Sequence, residues 1–156
     1  MSICTGQRFN FGKSLAWKLR RQPGQNSSCL LYRRIWYFLM CLILIVEDEQ
    51  RVVAFVDKGL RRNGFRTRVA IDGEQALQEL RSQPFDLIIL DLGLPKVDGW
   101  AILQELQRLG NQGPVIVVTA EIDVRDAVLQ TGAHDYLAKP FRFQDLLTSI
   151  QAALSL

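Results

Sequence analysis

Short apolar runs alternate with amphipathic stretches from residue 42 onward, and this alternation constrains the fold more than any other feature of the chain. Three runs, at residues 42–46, 87–90 and 115–118, are apolar throughout, as expected for strands buried on both faces of a parallel sheet. More polar strands are predicted at residues 65–70 and 135–138. Helical spacing of apolar residues predicts helices over about 50–62, from Asp72-Gly73 to just before Pro84, from Asp98 through Leu109, over about 122–131, and over 143–154. The alternation therefore predicts one α/β domain, a doubly wound parallel sheet of five strands covered by five helices.

Residues 1–40 differ from this domain in charge. They contain seven basic residues and no acidic one, whereas residues 41–156 contain 12 basic and 16 acidic residues, a formal charge of −4. We interpret residues 1–40 as a basic extension that is either disordered or upstream sequence read from an early start codon, because Met40 directly precedes the domain. A membrane anchor is the third alternative, but the apolar run at 35–46 has 12 residues and is too short to span a bilayer.

Acidic residues follow two of the predicted strands directly. Glu47 and Asp48 come after the first strand, and Asp91 comes after the third. Since the carboxyl ends of parallel strands meet at one edge of a doubly wound sheet, these side chains are expected to share a pocket. Carboxylates crowded together raise one another's pKa unless a cation lies among them. This arrangement favours a hard divalent ion, most simply Mg2+.

These positions suit phosphoryl transfer. Asp91 is the candidate nucleophile, since a carboxylate can attack phosphorus in line when cations neutralise the phosphoryl oxygens. The predicted protein ligands of the metal are Asp48, Asp91, the backbone carbonyl of Gly93 and, directly or through water, Glu47. Lys139 offers a mobile positive charge to a phosphoryl oxygen, and Thr119 offers a hydroxyl to another. The alternative for any one of these residues is a structural one, because an acid after a strand often only caps a loop.

Four segments carry a close resemblance to a known family: Leu42–Glu49 (LILIVEDE), Asp86–Gly99 (DLIILDLGLPKVDG), Val117–Ala120 (VVTA) and Asp135–Phe141 (DYLAKPF). In order and spacing they resemble the receiver domain of bacterial two-component response regulators, over residues 41–156. The resemblance implies a flavodoxin-like fold with strand order 2-1-3-4-5. It also implies a cytoplasmic phosphorelay protein that is not an enzyme beyond catalysing its own phosphorylation and dephosphorylation. An odd count of three cysteines, without metal-type spacing, fits that reducing compartment.

The resemblance also implies roles for single residues. Asp91 accepts a phosphoryl group from a sensor histidine kinase or a phosphotransfer protein, and Glu47 and Asp48 form the acidic pocket around Mg2+. Thr119 and Lys139 are the switch hydroxyl and the conserved lysine of the family, and a cis peptide bond joins Lys139 to Pro140. Tyr136 is the switch aromatic, and partners bind the face made by the fourth helix, fifth strand and fifth helix. Glu121 tunes the lifetime of the phosphate by controlling the access of water.

Two departures from the family pattern leave alternatives open. The segment from Thr119 to Gly132 is slightly shorter than in many winged-helix regulators, which puts the dimer face of that class in doubt. The chain also stops where the last receiver helix ends. We therefore expect a stand-alone receiver without direct DNA binding or membrane association. The alternatives are a truncated winged-helix transcriptional regulator, an interaction module that does not need phosphorylation, and a phosphohydrolase or mutase on a similar sheet.

Overall fold

The computed structural model describes residues 41–110 and 113–154 of the chain. Its centre is a parallel sheet with the order β2-β1-β3-β4-β5, which confirms the predicted topology. The five strands are β1 Leu42–Val46, β2 Arg66–Ala70, β3 Leu87–Leu90, β4 Val115–Thr119 and β5 Asp135–Ala138. Residues 1–40, which we interpret as a basic extension, lie outside the described residues.

The three inner strands are the most apolar, and their position in the sheet explains why. All residues of β3 and β4 are buried, as are residues 43–46 of β1, because helices cover both faces of the sheet. By contrast, β2 forms an edge, where the side chains of Arg66 and Arg68 are exposed. Charged side chains on an edge strand hinder its pairing with another chain.

Five helices form the two outer layers: α1 Gln50–Arg62, α2 Gly73–Ser82, α3 Gly99–Leu109, α4 Arg125–Gln130 and α5 Phe143–Ala153. Helices α1 and α5 pack on one face of the sheet, through residues such as Leu60 and Ile150. Helices α2, α3 and α4 cover the other face, through Leu80, Ile102 and Val128. This is the doubly wound arrangement that the alternation predicts. None of the helices in the described ranges combines the length and apolar character needed to cross a membrane.

Local signals account for most helix boundaries. The Asp72 side chain accepts a hydrogen bond from the Gln75 amide at the start of α2, and the Asp98 side chain accepts one from the Trp100 amide at the start of α3. Helix α1 ends where Gly64 adopts a φ of +87°, a left-handed conformation that glycine takes without steric cost. The predicted starts of α2 and α3 and the predicted end of α1 are thus confirmed.

The prediction for α4 was wrong at its start. We expected this helix over about 122–131, but it begins at Arg125, after Asp123 adopts a φ of +59° that interrupts the helical backbone. Ile122 is 82% exposed and takes no part in the core. With six residues, α4 is the shortest helix in the described part of the chain. Smaller differences are the start of β2 at Arg66 and the end of α5 at Ala153.

Candidate acidic site at the carboxyl ends of the strands

The pairing of β1 with β3 brings the predicted acids together. Val46 lies opposite Leu90 in the sheet, and the Asp91 amide donates a hydrogen bond to the Val46 carbonyl at 3.0 Å. The residues that follow the two strands are therefore neighbours. Glu47, Asp48 and Asp91 each have a carboxylate oxygen within 4.8 Å of one in the other two residues.

Lys139 reaches the same pocket from the edge strand β5. Its amide donates to the Thr119 carbonyl at 2.8 Å, which fixes the end of β5 against β4. Its Nζ atom lies 2.6 Å from Asp91 Oδ2 and 2.6 Å from Glu47 Oε2. The peptide bond between Lys139 and Pro140 is cis, as the family resemblance implies. One ammonium group therefore bridges two of the three carboxylates.

The three carboxylates differ in their access to solvent. Glu47 and Asp91 are buried, with 3% and 7% of their surface exposed, whereas Asp48 is exposed. Burial raises the pKa of Glu47, and the negative charge of Asp91 adds to this effect although Lys139 opposes both. Burial alone would lower the pKa of Lys139, but its hydrogen bonds to Asp91 and Glu47 outweigh burial and raise that pKa. The ammonium group is therefore charged at neutral pH.

Backbone amides hold the remaining oxygens of the two buried acids. The Gly93 amide donates to Asp91 Oδ1 at 3.1 Å, and the Glu49 amide donates to Glu47 Oε1 at 3.2 Å. Behind Asp91, Gly99 packs so closely that an added Cβ atom would lie 2.5 Å from the Asp91 carbonyl oxygen. The Gly93 amide thus orients the Asp91 carboxylate, while the start of α3 packs against the backbone at Asp91.

Thr119 lies at the carboxyl end of β4, between the strands that carry Asp91 and Lys139, and it is buried. Its hydroxyl oxygen accepts a hydrogen bond from the Glu121 amide at 3.3 Å. Tyr136, half-buried on β5, donates its hydroxyl hydrogen to the Glu121 carbonyl at 2.9 Å. The two predicted switch residues are therefore connected through the backbone of Glu121 rather than by direct contact with the acids.

The structure brings together the predicted site residues to different degrees. Glu47, Asp48, Asp91 and Lys139 share one pocket, and Thr119 ends the neighbouring strand. Gly93 contacts Asp91 through its amide, while the role of its carbonyl as a metal ligand stays a prediction.

Sequence reasoning missed the anchor of the loop after Asp91. Lys96 Nζ lies 2.8 Å from Asp72 Oδ2 and 3.4 Å from Glu74 Oε2, so that the loop between β3 and α3 is held against the start of α2. Lys96 itself has a φ of +68°, uncommon for a residue with a side chain. The only available signal was the capping position of Asp72, and that signal does not indicate a partner 24 residues away.

The donor set of the pocket fits a hard divalent cation. Three carboxylates and one ammonium group leave a formal charge of −2 when all are ionised. All the candidate side-chain ligands are oxygens, which Mg2+ prefers over nitrogen or sulfur. Asp48 is exposed, so its carboxylate is accessible to a hydrated ion.

Comparison with known proteins identifies the family of the chain. The sequence profile of the response regulator receiver domain matches residues 43–151. The chain belongs to the response regulator receiver family. It is 41% identical over 114 residues to the transcriptional regulatory protein PcoR of Escherichia coli, covering 72% of this chain and 50% of PcoR. It is 45% identical over 114 residues to HprR of Escherichia coli strain K12, covering 72% of this chain and 51% of HprR. The chain thus spans about half the length of these curated relatives.

A solved structure gives the same assignment. The response regulator protein TrrA from Thermotoga maritima, crystallised in complex with Mg2+ and BeF, superimposes with a TM-score of 0.68 at 29% identity. The match covers 74% of this chain and 100% of the TrrA chain. The family and the fold predicted from the sequence are both confirmed.

Proposed function

We propose that this receiver domain works as a phosphorylation switch in which Asp91 accepts a phosphoryl group from a sensor histidine kinase or a phosphotransfer protein. The observation that carries the proposal is the bridge from Lys139 to Asp91 and Glu47, next to the exposed carboxylate of Asp48. A nucleophile, a fixed positive charge and two further acids lie within one pocket.

In the proposed reaction, a carboxylate oxygen of Asp91 attacks the phosphorus atom of a phosphohistidine. An oxygen–phosphorus bond forms while the bond from phosphorus to the imidazole nitrogen breaks, and its electron pair stays on the imidazole. The Gly93 amide and the Lys139 ammonium group hold the two Asp91 oxygens, which positions the carboxylate for an in-line approach. The domain acts on itself and does not turn over a separate substrate.

The charges of the pocket suit the product. Phosphorylation adds a charge of about −1.5 to −2 to a site that is already negative. Lys139 balances part of that charge by contacting a phosphoryl oxygen, and the hydroxyl of Thr119 donates to another after leaving the Glu121 amide. These two residues are buried or nearly so, and their hydrogen bonds are therefore stronger than they would be in water.

Asp48, Asp91, Glu47 and the Gly93 carbonyl would hold Mg2+ in this pocket. When bound, the ion would supply positive charge to the phosphoryl oxygens. Glu47 and Asp91 each use their two carboxylate oxygens in contacts with a backbone amide and with Lys139, whereas Asp48 is exposed. The carboxylate of Asp48 is therefore the one most available for direct coordination. TrrA was crystallised in complex with Mg2+ and BeF, which supports Mg2+ as the ion in this pocket.

The output of the switch is proposed to be a change of the face made by α4, β5 and α5. Movement of Thr119 toward the phosphoryl group would leave space at the end of β4, into which Tyr136 on the neighbouring strand β5 would turn. The phosphoryl group would thus shift an existing equilibrium between two arrangements of this face. A protein partner would bind the favoured arrangement.

The setting of this switch is also a proposal. We expect the receiver domain to act in the cytoplasm through contacts with other proteins. PcoR is named a transcriptional regulatory protein, and the chain spans only half of it. The intact mass of the protein isolated from its own cells would distinguish a receiver that acts alone from one joined to a further domain.

The decisive experiment is phosphorylation of the purified chain with acetyl phosphate and Mg2+, followed by intact-mass measurement. Wild type should gain one phosphoryl group that hydroxylamine removes, as expected for an acyl phosphate. Asp91→Asn should gain none. Asp98→Asn is the matched control, since this acid lies at the end of the same loop but caps α3, and asparagine caps a helix equally well. An Asp91→Asn protein that is still phosphorylated, or a wild type that never is, would contradict the proposal.

A further inference from the structure

Glu121 is held at three different atoms by three different elements of the fold. Its amide donates to Thr119 Oγ1 at 3.3 Å, and its carbonyl accepts from the Tyr136 hydroxyl at 2.9 Å. Its carboxylate oxygen Oε2 accepts from Trp100 Nε1 at 3.4 Å. The first two contacts belong to the proposed switch. The third contact connects Glu121 to the beginning of α3, which is not part of the proposed switch.

Trp100 is well placed to fix the loop that contains Glu121. It is the second residue of α3 and is half-buried, packed against the core layer under α2, α3 and α4. Val124, which precedes α4, and Tyr136 pack against the same layer. The indole is thus anchored by apolar contacts, and its N–H group is directed at the side chain of a residue in the loop between β4 and α4.

We propose that Trp100 is a positioning residue of the switch, which stabilises the arrangement in which Thr119 is engaged by Glu121 and not by a phosphoryl group. The inference rests on the proposed function, because it concerns the same Thr119 hydroxyl. It extends the switch to α3, a helix outside the face made by α4, β5 and α5.

The physical reason is a competition for Thr119. In the arrangement described here its oxygen accepts from the Glu121 amide. In the proposed switch, the Thr119 side chain rotates toward the phosphoryl group on Asp91, and this rotation would break the bond to the Glu121 amide. The contact from Trp100 keeps Glu121, and with it the competing amide, in place. Removing a contact that favours one arrangement shifts the population toward the other.

The test is binding of beryllofluoride with saturating Mg2+, measured from the amide signals of Gly93 and Lys139 in 15N-edited NMR spectra. Trp100→Phe keeps the aromatic packing but removes the N–H donor, so its apparent affinity for beryllofluoride should rise about two- to fivefold over wild type, as expected for one long hydrogen bond. The indole signal of Trp100, assigned by its loss in that variant, should also shift when wild type binds beryllofluoride.

Glu121 variants separate the hydrogen bond from the charge. Glu121→Gln removes the negative charge but keeps an oxygen acceptor for the indole, whereas Glu121→Ala removes both. Glu121→Ala should therefore bind beryllofluoride about two- to fivefold more tightly than Glu121→Gln. Adding Trp100→Phe to Glu121→Ala should produce no further change, because the two substitutions remove the same contact.

Gln107→Leu is the matched control. Gln107 also lies on α3, and its side-chain amide donates to the Thr131 carbonyl beyond α4, without contacting Thr119, Glu121 or Tyr136. The Gln107→Leu variant should bind beryllofluoride with the same affinity as wild type. Equal affinities of wild type and Trp100→Phe, or additive effects in the double variant, would overturn the inference while the proposed function stands. A wild type that binds no beryllofluoride would contradict the proposed function and this inference together.

Discussion

The negative charge of the acidic pocket should reduce the stability of the metal-free domain, and Asp48 offers the clearest test. Its carboxylate oxygen lies within 4.8 Å of oxygens of both Glu47 and Asp91. At that separation, two unit charges repel by about 1 kcal/mol in water and about 3.5 kcal/mol at an effective dielectric constant of 20. Because Asp48 is exposed, the lower value applies to each pair. The repulsion from the two acids together is then about 2 kcal/mol.

Asp48→Asn removes this repulsion but also the attraction between Asp48 and the ammonium group of Lys139. We expect a net gain of about 1 kcal/mol in the free energy of unfolding without metal, equivalent to a rise of about 4 °C in Tm. Mg2+ should reverse the order of the two proteins. At about 100 times its Kd, an ion that binds only the folded state adds about 2.7 kcal/mol to wild type, whereas Asp48→Asn lacks a ligand and gains little.

Urea denaturation at neutral pH, once with EDTA and once with saturating Mg2+, measures both effects. Asp98→Asn is the control, because it also removes one exposed negative charge but lies outside the acid cluster and keeps the helix cap. It should change stability by less than about 0.5 kcal/mol under either condition. A loss of stability in Asp48→Asn with EDTA would refute the reasoning about repulsion. Equal responses of wild type and Asp48→Asn to Mg2+ would refute the assignment of Asp48 as a ligand.

Three further predictions follow from other parts of the structure. Gly99→Ala should destabilise the domain and slow phosphorylation by acetyl phosphate, because the added Cβ atom would collide with the backbone at Asp91 and Leu92. Gly93→Ala should have wild-type stability in the same urea assay, because the nearest atom to its added Cβ lies 3.9 Å away. Hydrogen bonding by Lys96 holds the pKa of Asp72 below its usual range. The ionised Asp72 side chain therefore stabilises the fold at neutral pH, and this contribution to the free energy of unfolding is lost as the pH falls below about 4. Acid titration of stability should consequently be steeper for wild type than for Asp72→Asn, and equal slopes would contradict this. Burial raises the pKa of the Cys41 thiol to about 12, so a thiol reagent at pH 8 should modify it only after denaturant is added.

Much of the fold could be predicted because its three inner strands appear in the sequence as continuous apolar runs. The bounds of β1 and β3 agree with the prediction to the residue, since strands covered on both faces tolerate no polar interruption. The acidic pocket could be predicted for a related reason. Once the strands are parallel, the residues directly after them must meet at one edge, and Glu47, Asp48 and Asp91 do so.

The start of α4 could not be predicted, because its cause is not local. Apolar spacing near Ile122 favours a helix, yet the backbone turns left-handed at Asp123. Glu121, two residues before Asp123, is held by Tyr136 and Trp100, which lie 15 and 21 residues away from it in sequence. A period of 3.6 residues carries no information about such contacts. Tertiary hydrogen bonds thus decide a boundary that propensity alone places too early.

The unpredicted contacts have a common consequence for the loop that follows Asp91. On one side, Lys96 ties this loop to Asp72 at the start of α2. On the other side, Trp100 at the start of α3 connects this helix to the loop between β4 and α4. Strand ends therefore place the chemically active groups, while long side chains from neighbouring loops set the rigidity of their surroundings. A phosphoryl group on Asp91 would enter a site that is anchored on both sides, so its charge could be relieved most readily by motion at Thr119. Because the hydrogen bond from the Glu121 amide to the Thr119 hydroxyl oxygen is long, at 3.3 Å, this is the contact through which we expect the pocket to respond first.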